Sequence, residues 1–393
     1  MKQLVEKCYF STAEPLAVQN YLKGDFMKQL GLYIHVPFCE KKCPYCDFYS
    51  VSAAQEVVDK FTEKICRVIE NYSENSHFSF DTAYFGGGTP SLIGSENLVK
   101  IMDVARNYLK SSTNEVTLEI NPTTLPVLDF NRLREGGFNR LSIGLQSAVD
   151  NELNLLGRRH SVKDVENAIN LAKKAGFLNI SLDLMVATPG QTINSLKRSI
   201  DFCISQEVQH ISAYLLKIEK ETQFFENKSN LQLKNEDEEA DMYLFLVSEL
   251  QKNGFKQYEI SNFAKEGCES QHNLKYWNSQ EYLGIGPSAH SFIDGKRFFY
   301  PRSIKDFLSG NLDAVEDGIG GTAEEYAMLK LRLCEGISNI EFKNRFGVNI
   351  PEAYLKRAKD FQKHGLTVVN DRGICFTPKG FLLSNELISR IIL

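Results

Sequence analysis

The feature that most constrains the fold of this chain is an alternation of short apolar runs with longer amphipathic stretches. The apolar runs predict six strands, at Leu32–Val36, Thr82–Phe85, Val116–Asn121, Arg140–Leu145, Ile180–Val186 and His210–Leu216. Alternating strands and helices form right-handed βαβ units around a parallel sheet, so we expect an α/β fold. Six units are compatible with an open, partial barrel and with an open doubly wound sheet, and periodicity alone does not separate the two.

One amphipathic stretch, residues 161–176, carries signals for both ends of a helix. Ser161 is a suitable N-cap, and Asp164 stands three residues later, where it can complete a capping box. Gly176 stands where the apolar periodicity stops, as expected of a helix C-terminus. The sequence therefore predicts a helix between the fourth and fifth strands.

Size and composition indicate a globular protein of two or three domains. The chain has 393 residues, of which 42% are hydrophobic and 24% charged. Its formal net charge of −5 provides no basic field of the kind that nucleic-acid-binding proteins carry. No apolar run approaches 18 residues, and the N-terminus lacks the order of a signal peptide. We therefore expect a cytoplasmic protein.

The C-terminal part differs from the rest of the chain. An acidic run at 235–240 leads into a predicted helix that ends near Asn253. After Gly320, helical patterns at 324–334, 339–346 and 351–364 precede a predicted hairpin, Leu366–Asn370 with Ile374–Thr377. Residues 321–393 therefore predict a helical, winged-helix-like domain. Its net charge of +3 is too small to indicate a DNA-binding face, so we interpret it as structural.

The first 30 residues predict an N-terminal extension. The tetrapeptide Met1-Lys2-Gln3-Leu4 recurs as Met27-Lys28-Gln29-Leu30, immediately before the first predicted strand. The predicted barrel domain then spans residues 31–235.

The cysteines indicate a metal site. Cys39, Cys43 and Cys46 follow the first strand at the spacing C-x₃-C-x₂-C. Side chains of a strand alternate between faces, whereas a loop can direct three thiols at one point. Three thiolates leave one metal position open, as in an incompletely ligated [4Fe–4S] cluster. The alternatives are a zinc site that borrows His35, or thiols packed as small apolar groups.

Together with a glycine run, these cysteines give the chain a family resemblance. Phe85-Gly86-Gly87-Gly88-Thr89-Pro90 follows the second strand, and glycines allow backbone groups to approach a charged ligand closely. The combination resembles the radical S-adenosylmethionine (SAM) superfamily. The resemblance implies a partial (β/α)₆ barrel in which Cys39, Cys43 and Cys46 hold a [4Fe–4S] cluster. It also implies that the amino and carboxylate groups of S-adenosylmethionine bind the fourth iron.

Further motifs resemble the oxygen-independent coproporphyrinogen III oxidase group, which includes a branch of heme chaperones. The motifs are Tyr33–Cys39, Glu119–Pro122, Ser142–Ser147, Leu156–Arg158, Asp183-Leu184 and Pro189–Thr192. The resemblance covers the chain from about residue 30 onward and makes residues 236–320 a segment specific to this group. Each motif ends a predicted strand or opens the next loop, where βα barrels assemble their sites.

The resemblance implies a ligand-binding wall. Its members around the cluster-bound S-adenosylmethionine are Tyr33, Gly87 and Glu119. Its members around a second cofactor molecule, or the equivalent space, are Tyr45, Gly88, Thr89, Gln146, Arg158 and Asp183. The carboxylates of Glu119 and Asp183 are suited to accept from hydroxyl or ammonium groups, and Arg158 is suited to pair with a carboxylate.

Some of these side chains also have an ordinary structural interpretation. Arg158, beside Arg159, is also compatible with a surface charge, and Gln146 with the cap of a loop. Glu119 has no such alternative, because burying a lone carboxylate on an apolar strand is costly. Relatives usually show a glycine where this chain has Ala187 or Thr188, so we expect the loop after the fifth strand to differ slightly.

Two features favour the chaperone branch over the oxidases. The oxidases carry a further cysteine two positions after the third, whereas Cys46 is followed here by Asp47 and Phe48. In addition, His272-Asn-Leu-Lys-Tyr276-Trp277 matches the His-Asn-x-x-Tyr-Trp motif of the chaperones. An imidazole beside aromatic rings suits a heme, since its nitrogen can ligate iron. The alternative is a hydrogen-bonded core cluster of His272, Tyr276 and Trp277.

Three hypotheses follow. The first is a heme chaperone that binds heme and delivers it to apo-hemoproteins, with respiratory proteins at the membrane surface as acceptors and without a catalytic residue of its own. The second is a radical enzyme that converts coproporphyrinogen III to protoporphyrinogen IX. The third is a structural zinc protein. Peripheral membrane association and a homodimer stay open.

Overall fold

The computed structural model describes residues 28–74, 78–110, 115–310 and 314–393. Its first strand begins at Lys28, so the last three residues of the predicted extension belong to a sheet. The rest of that extension, with the first copy of the tetrapeptide, lies outside the described residues.

Six parallel strands form the centre of the fold, and each overlaps one of the predicted strands. They are β1 (Lys28–Val36), β2 (Phe78–Gly87), β3 (Glu115–Ile120), β4 (Arg140–Gln146), β5 (Asn179–Val186) and β6 (His210–Leu215). Their order in the sheet follows the chain from β1 to β6, and β6 pairs with β5 and with a later strand instead of closing on β1. A doubly wound sheet would reverse its strand order at a switch point. The predicted partial barrel is therefore confirmed.

Six helices separate or follow these strands. They are α1 (Gln55–Glu74), α2 (Gly94–Arg106), α3 (Phe130–Glu135), α4 (Asp150–Leu155), α5 (Val162–Lys174) and α6 (Ile193–Ser205). Helix α5 is the one predicted from its end signals: Ser161 and Asp164 form the capping box, and Gly176 adopts the left-handed conformation, with φ +84°.

The two faces of the sheet differ in polarity. Along β4, Leu141, Ile143 and Leu145 are buried in the same apolar core as side chains of the surrounding helices. Because side chains alternate along a strand, Arg140 and Ser142 point to the opposite face, which is the barrel interior. This polar interior face is the one that the candidate site occupies.

The segment after β6 widens the sheet at both edges. Helix α7 (Gln223–Glu226) and a 3₁₀ helix at Lys228–Asn230 lead to α8 (Glu236–Lys252), the helix predicted from the acidic run. The elements that follow are β7 (Lys256–Gln257), β8 (Asn262–Ala264), α9 (Gln271–Trp277), β9 (Tyr282–Ile285), β10 (His290–Ile293), β11 (Lys296–Phe299), α10 (Ile304–Ser309) and β12 (Val315–Ile319). Strands β8 and β7 extend the sheet beyond β6, and β9 to β12 extend it beyond β1.

The C-terminal part forms a winged-helix-like unit, as expected. Its elements are α11 (Ala323–Lys330), β13 (Ile337–Ser338), α12 (Asn339–Phe346), α13 (Glu352–Gln362), β14 (Thr367–Asn370), β15 (Gly373–Phe376), α14 (Pro378–Leu382) and α15 (Ser384–Ile392). Strands β14 and β15 form the predicted hairpin, and β13 joins them in a three-stranded sheet. No helix in the described part of the chain is long and apolar enough to cross a membrane.

Candidate functional site

The cysteine loop follows β1, and backbone hydrogen bonds join its two ends to each other. The backbone N–H of Cys39 donates to the carbonyl of Val51 at 3.0 Å, and the N–H of Val51 donates to the carbonyl of Pro37 at 2.8 Å. Within the loop, the N–H of Cys46 donates to the carbonyl of Cys43 at 3.1 Å, which makes a tight turn between the second and third thiols. The loop therefore presents the cysteines at the carboxyl end of the barrel strands.

The three thiols are free, partly exposed and in contact with two other site residues. The Cys39 Sγ lies 3.2 Å from the hydroxyl of Thr89, and Arg158 donates to the Cys43 Sγ at 3.6 Å. Burial raises the pKa of the Cys46 thiol, and the nearby thiols of Cys43 and Cys39 raise it further. Polar groups that contact ligand sulfurs are the usual second layer of an iron–sulfur site. The donor set of three thiols therefore fits a [4Fe–4S] cluster with one iron open.

The alternative zinc site has no support from His35. Its Nδ1 lies 3.0 Å from the hydroxyl of Tyr33, and its Nε2 lies 3.4 Å from the carbonyl of Tyr49, so both nitrogens already have partners. Burial also lowers the pKa of His35 to about 4. Among the described residues, no group of three or more His, Cys, Asp or Glu side chains, the three thiols included, is placed so that it could hold a metal ion. The cluster is thus inferred from the donor chemistry of the loop.

The glycine run after β2 lies against this loop. A Cβ on Gly87, whose φ is +112°, would lie 2.7 Å from the His35 ring, and a Cβ on Gly88 would lie 2.8 Å from the carbonyl oxygen of Phe38. Neither position accepts a side chain without displacing the chain that enters the cysteine loop. The glycines therefore allow β2 and the cysteine loop to approach each other closely.

A cleft of about 410 Å³ opens beside the glycine run, inside the barrel mouth. Six of the ten residues predicted to bind a cofactor line it: Gly88, Thr89, Glu119, Gln146, Arg158 and Asp183. A second cleft, of about 370 Å³, lies next to it and includes Cys43, and the two clefts share Thr89, Asn121 and Arg158. The barrel therefore brings most of the predicted wall together beside the cysteines.

Two carboxylates give the cleft its acidic character. The Glu119 carboxylate accepts from the hydroxyl of Tyr84 at 2.8 Å, and the Asp183 carboxylate accepts from that of Ser142 at 3.1 Å. Burial raises the pKa of Glu119 to about 7 and also raises that of Asp183. Each carboxylate keeps acceptor capacity beyond these contacts, since an ionised carboxylate accepts about four hydrogen bonds. Both are suited to hold hydroxyl or ammonium groups of a ligand.

Gln146 and Arg158 meet at the end of β4. Gln146 has φ +66°, and the pairing of β4 with β5 shifts register between Gly144 and Gln146. Amide and guanidinium groups both lie close to Gly144, because a Cβ there would be 3.0 Å from Gln146 Nε2 and 3.1 Å from Arg158 Nη2. Arg158 also hydrogen-bonds to Tyr45. Its interpretation as a free surface charge is therefore disfavoured.

Four of the ten predicted residues do not line this cleft: Gly87 and Tyr45, described above, and Tyr33 and His272. Tyr33 is half-buried beside the cleft, with its ring 6.2 Å from that of Tyr84 and its hydroxyl on His35. His272 is fully buried in α9: its Nδ1 lies 2.9 Å from the Thr82 hydroxyl and its Nε2 lies 2.7 Å from the Tyr276 hydroxyl. Burial lowers the pKa of His272 to about 3. His272 offers no free nitrogen to a heme iron in this arrangement, so the structure favours the core-cluster interpretation over the heme contact.

The structure also shows contributors that the sequence analysis missed. Tyr84 and Ser142 each hold one of the cleft carboxylates, and Asn121 lines both clefts. The sequence feature that could have identified these residues is a polar side chain at every second position of an otherwise apolar strand, on the same face as Glu119 and Asp183. In the loop after β5, Ala187 keeps a left-handed backbone with φ +59°, and its N–H donates to Gln191 Oε1 at 2.7 Å.

Comparison with known proteins places the fold and the site in context. The sequence model of the Radical SAM superfamily matches residues 33–203, and that of the HemN C-terminal domain matches residues 322–383. The solved structure of coproporphyrinogen III oxidase (HemN) from Escherichia coli, described as a radical SAM enzyme, superimposes with a TM-score of 0.79. It shares 19% sequence identity, and the match covers 94% of this chain and 91% of HemN. At that identity the likeness concerns the fold.

Proteins with similar sequences have more specific names than the superfamily, and two of them are named heme chaperones. The heme chaperone HemW of Bacillus subtilis is 36% identical over 367 residues, which cover 90% of this chain and 97% of that protein. The heme chaperone HemW of Lactococcus lactis is 31% identical, with 93% and 98% covered. Radical S-adenosyl methionine domain-containing protein 1, mitochondrial, of Danio rerio is 30% identical, with 100% and 94% covered.

Proposed function

Since this chain belongs to the HemW family within the radical SAM superfamily, we propose that it is a heme chaperone that binds heme and delivers it to apo-hemoproteins. The observation that carries the proposal is the similarity to heme chaperones along nearly the whole chain, combined with Asp47 and Phe48 after Cys46, where the oxidases have a further cysteine. The acceptors include respiratory proteins, which a cytoplasmic chaperone meets at the membrane surface.

The proposal assigns the cysteine loop to a [4Fe–4S] cluster on Cys39, Cys43 and Cys46. Such a cluster, when bound, supplies an open iron that the amino and carboxylate groups of S-adenosylmethionine can ligate. Thr89 and Arg158 contact two of the three sulfurs, so they hold these thiols in place. The loop is therefore suited to retain a cluster without a fourth protein ligand.

The proposal assigns the cleft to S-adenosylmethionine. Glu119 and Asp183 would accept hydrogen bonds from ribose hydroxyl or ammonium groups, and Arg158 would pair with a carboxylate. Burial raises the pKa of Glu119 to about 7, so this carboxyl titrates near neutral pH. Tyr84 donates to Glu119 and keeps it directed into the cleft.

A second candidate function is the oxidase reaction itself. The observation that favours it is the intact cleft beside three cysteines on a fold that superimposes on HemN over nearly its whole length. The absence of the fourth cysteine, and the match to the chaperone motif at His272–Trp277, favour the chaperone.

One divided sample tests both functions. The full chain is reconstituted anaerobically with iron and sulfide, and one half is titrated with heme while the other receives coproporphyrinogen III, reductant and S-adenosylmethionine. We expect stoichiometric heme binding, heme transfer to an apo-cytochrome, and no protoporphyrinogen. Formation of protoporphyrinogen would overturn the chaperone proposal in favour of the oxidase.

A triple variant tests the cluster in the same preparation. Replacing Cys39, Cys43 and Cys46 with Ala should abolish the absorption band near about 400 nm that a [4Fe–4S] protein shows, together with the bound iron and sulfide. The matched control is Cys268→Ala, which removes a partly exposed thiol outside the loop. Equal iron and sulfide contents in the triple variant and the wild type would refute the cluster assignment.

A further inference from the structure

The second and third cysteines are held by different parts of the molecule from the first. Cys39 is fixed by its backbone hydrogen bond to Val51, at the other end of the loop, and by the contact of its sulfur with Thr89, just after β2. Cys43 and Cys46 lie further along the loop, joined by one tight turn around Pro44 and Tyr45. The distance from the thiol of Cys39 to the other two thiols therefore depends on the contacts that hold this turn in place.

A segment distant in sequence contacts this turn directly. Residues 217–233, which we call the strap, connect β6 to α8 and include α7. The backbone N–H of Phe224 in the strap donates to the carbonyl of Pro44 at 2.9 Å, and the Phe224 ring lies 6.2 Å from the Tyr45 ring. The strap therefore touches both residues that stand between Cys43 and Cys46.

Phe224 anchors the strap in a small apolar cluster that is separate from the main core. The buried members of this cluster are Leu156, Met185, Leu216 and Phe224, and the side chains packed against it are Tyr45, Ile218 and Leu231. The N–H of Gly190 also donates to the carbonyl of Gln232 at 3.2 Å, which ties the far end of the strap to the loop after β5. Because the cluster is small and peripheral, it can open locally while the main core stays folded.

From these contacts we propose that the strap, through Phe224, is a positioning element that holds the Cys43–Cys46 turn at the separation from Cys39 that the iron–sulfur cluster requires. Phe224 does not touch the thiols; it acts through Pro44 and Tyr45. This inference rests on the proposed function, since it gives the turn its purpose as part of a cluster site. It makes retention of the cluster depend on a segment outside the cysteine motif.

Two adjacent phenylalanines provide a matched pair of variants. Phe224 is 5% exposed, whereas Phe225 is 46% exposed and lies outside the buried cluster. Phe224→Ala removes the anchor, and Phe225→Ala removes a ring of the same size from the next position of the strap. Phe224→Leu keeps most of the apolar volume and serves as the conservative variant.

Thiol labelling of the metal-free full chain measures the positioning without a cluster. Iodoacetamide is added under reducing conditions, and mass spectrometry follows the modification of each cysteine. We expect Phe224→Ala to speed the labelling of Cys43 and Cys46 by about tenfold, with Cys39 unchanged, because opening of the strap exposes the turn but leaves the contacts of Cys39 with Val51 and Thr89 in place. Phe225→Ala should match the wild type, and Phe224→Leu should restore most of the protection. Equal labelling rates in the Phe224→Ala and Phe225→Ala variants would overturn the proposal.

Cluster retention gives the second readout. After reconstitution, and at a temperature well below the unfolding midpoints of all three proteins, a chelator should remove iron from the Phe224→Ala variant about tenfold faster than from the wild type and the Phe225→Ala variant. Equal rates of iron loss in all three proteins would show that the strap does not serve the cluster. A wild type that takes up no cluster, with the labelling difference intact, would instead contradict the proposed function and leave the positioning of the turn established.

Discussion

At the scale of single residues, the number of free hydrogen-bonding positions separates a ligand-binding side chain from a structural one. His272 and Glu119 both lie on the polar side of the sheet, and burial shifts the pKa of each toward its neutral form. Both nitrogens of His272 already have hydroxyl partners, from Thr82 and Tyr276. Glu119 lines a cleft and keeps acceptor capacity, so it is the better candidate for binding a ligand.

We predict that His272→Ala destabilises the fold by about 3 kcal/mol without weakening heme binding by the folded protein, because it leaves two buried hydroxyls unpaired and a cavity. The folded state keeps His272 neutral down to its pKa of about 3, whereas the unfolded chain takes up a proton near its ordinary value. Protonation of His272 in the unfolded chain therefore lowers the free energy of unfolding of the wild type as the pH falls from about 6.5 to about 3. The His272→Ala variant should lack this pH-dependent decrease. Denaturant unfolding at several pH values and heme titration measure the two effects. Unchanged stability with lost heme affinity would restore His272 as a heme contact.

At the scale of elements, the cysteine loop is held in place by its neighbours on several sides. Besides the strap, the turn that follows α4 contacts the loop: it places Gly157 against the ring of Pro44, so that a Cβ on Gly157 would lie 2.6 Å from Pro44 Cδ. The next residue, Arg158, contacts the Cys43 sulfur. The spacing of the cysteines is local, but their orientation depends on packing against these separate elements.

We predict that Gly157→Ala reduces cluster uptake severalfold, whereas Gly176→Ala leaves it unchanged. Both glycines have left-handed backbones, with φ +67° and +84°, so both variants carry a similar backbone cost of about 1 kcal/mol. Only at Gly157 would the new methyl group strike the cysteine loop, since nothing lies within 4 Å of a Cβ on Gly176. Iron and sulfide per chain after reconstitution are the measurement. An equal reduction in both variants would show that backbone strain, and not contact with Pro44, is responsible.

At the scale of the whole molecule, the C-terminal unit is joined to the barrel by backbone pairing and by one buried cation. The N–H of Ile260 donates to the carbonyl of Arg332 at 3.0 Å, and Glu259 and Leu333 form an antiparallel bridge. Lys330 is 1% exposed, and its Nζ donates to Asn278 Oδ1 at 3.0 Å and pairs with Glu335 and with Glu341. This lysine connects α11 to the residue that follows α9.

We predict that Lys330→Ala weakens the attachment of the C-terminal unit by on the order of 1–2 kcal/mol. The variant removes the donor to the amide oxygen of the half-buried Asn278, while Glu335 and Glu341 are half-exposed and recover part of their solvation. Limited proteolysis of the segment around residues 314–322 should therefore become faster. Lys343→Ala, which changes an exposed lysine of α12, is the control and should digest like the wild type. Identical digestion of all three proteins would contradict the prediction.

The sequence by itself determined the properties that depend on near neighbours along the chain. The periodicity of the strands, the capping box of Ser161 and Asp164, the hairpin of β14 and β15, and the spacing of the three cysteines all arise within a few residues. The family motifs also singled out Glu119, Gln146, Arg158 and Asp183, which the barrel gathers into one cleft.

Only the tertiary structure decided which of these polar groups stay available to a ligand. The Nδ1 of His272 is occupied by a hydrogen bond with the hydroxyl of Thr82, which is 190 residues away in the sequence. The Cys43–Cys46 turn is bonded to Phe224, which comes after β6 in the chain. Such partners are chosen by the closure of loops between distant strands and not by local periodicity. For that reason His272, which belongs to a motif that suggests a heme ligand in sequence, lies buried between hydroxyl partners, and Phe224, which no motif marks, lies against the cysteine loop.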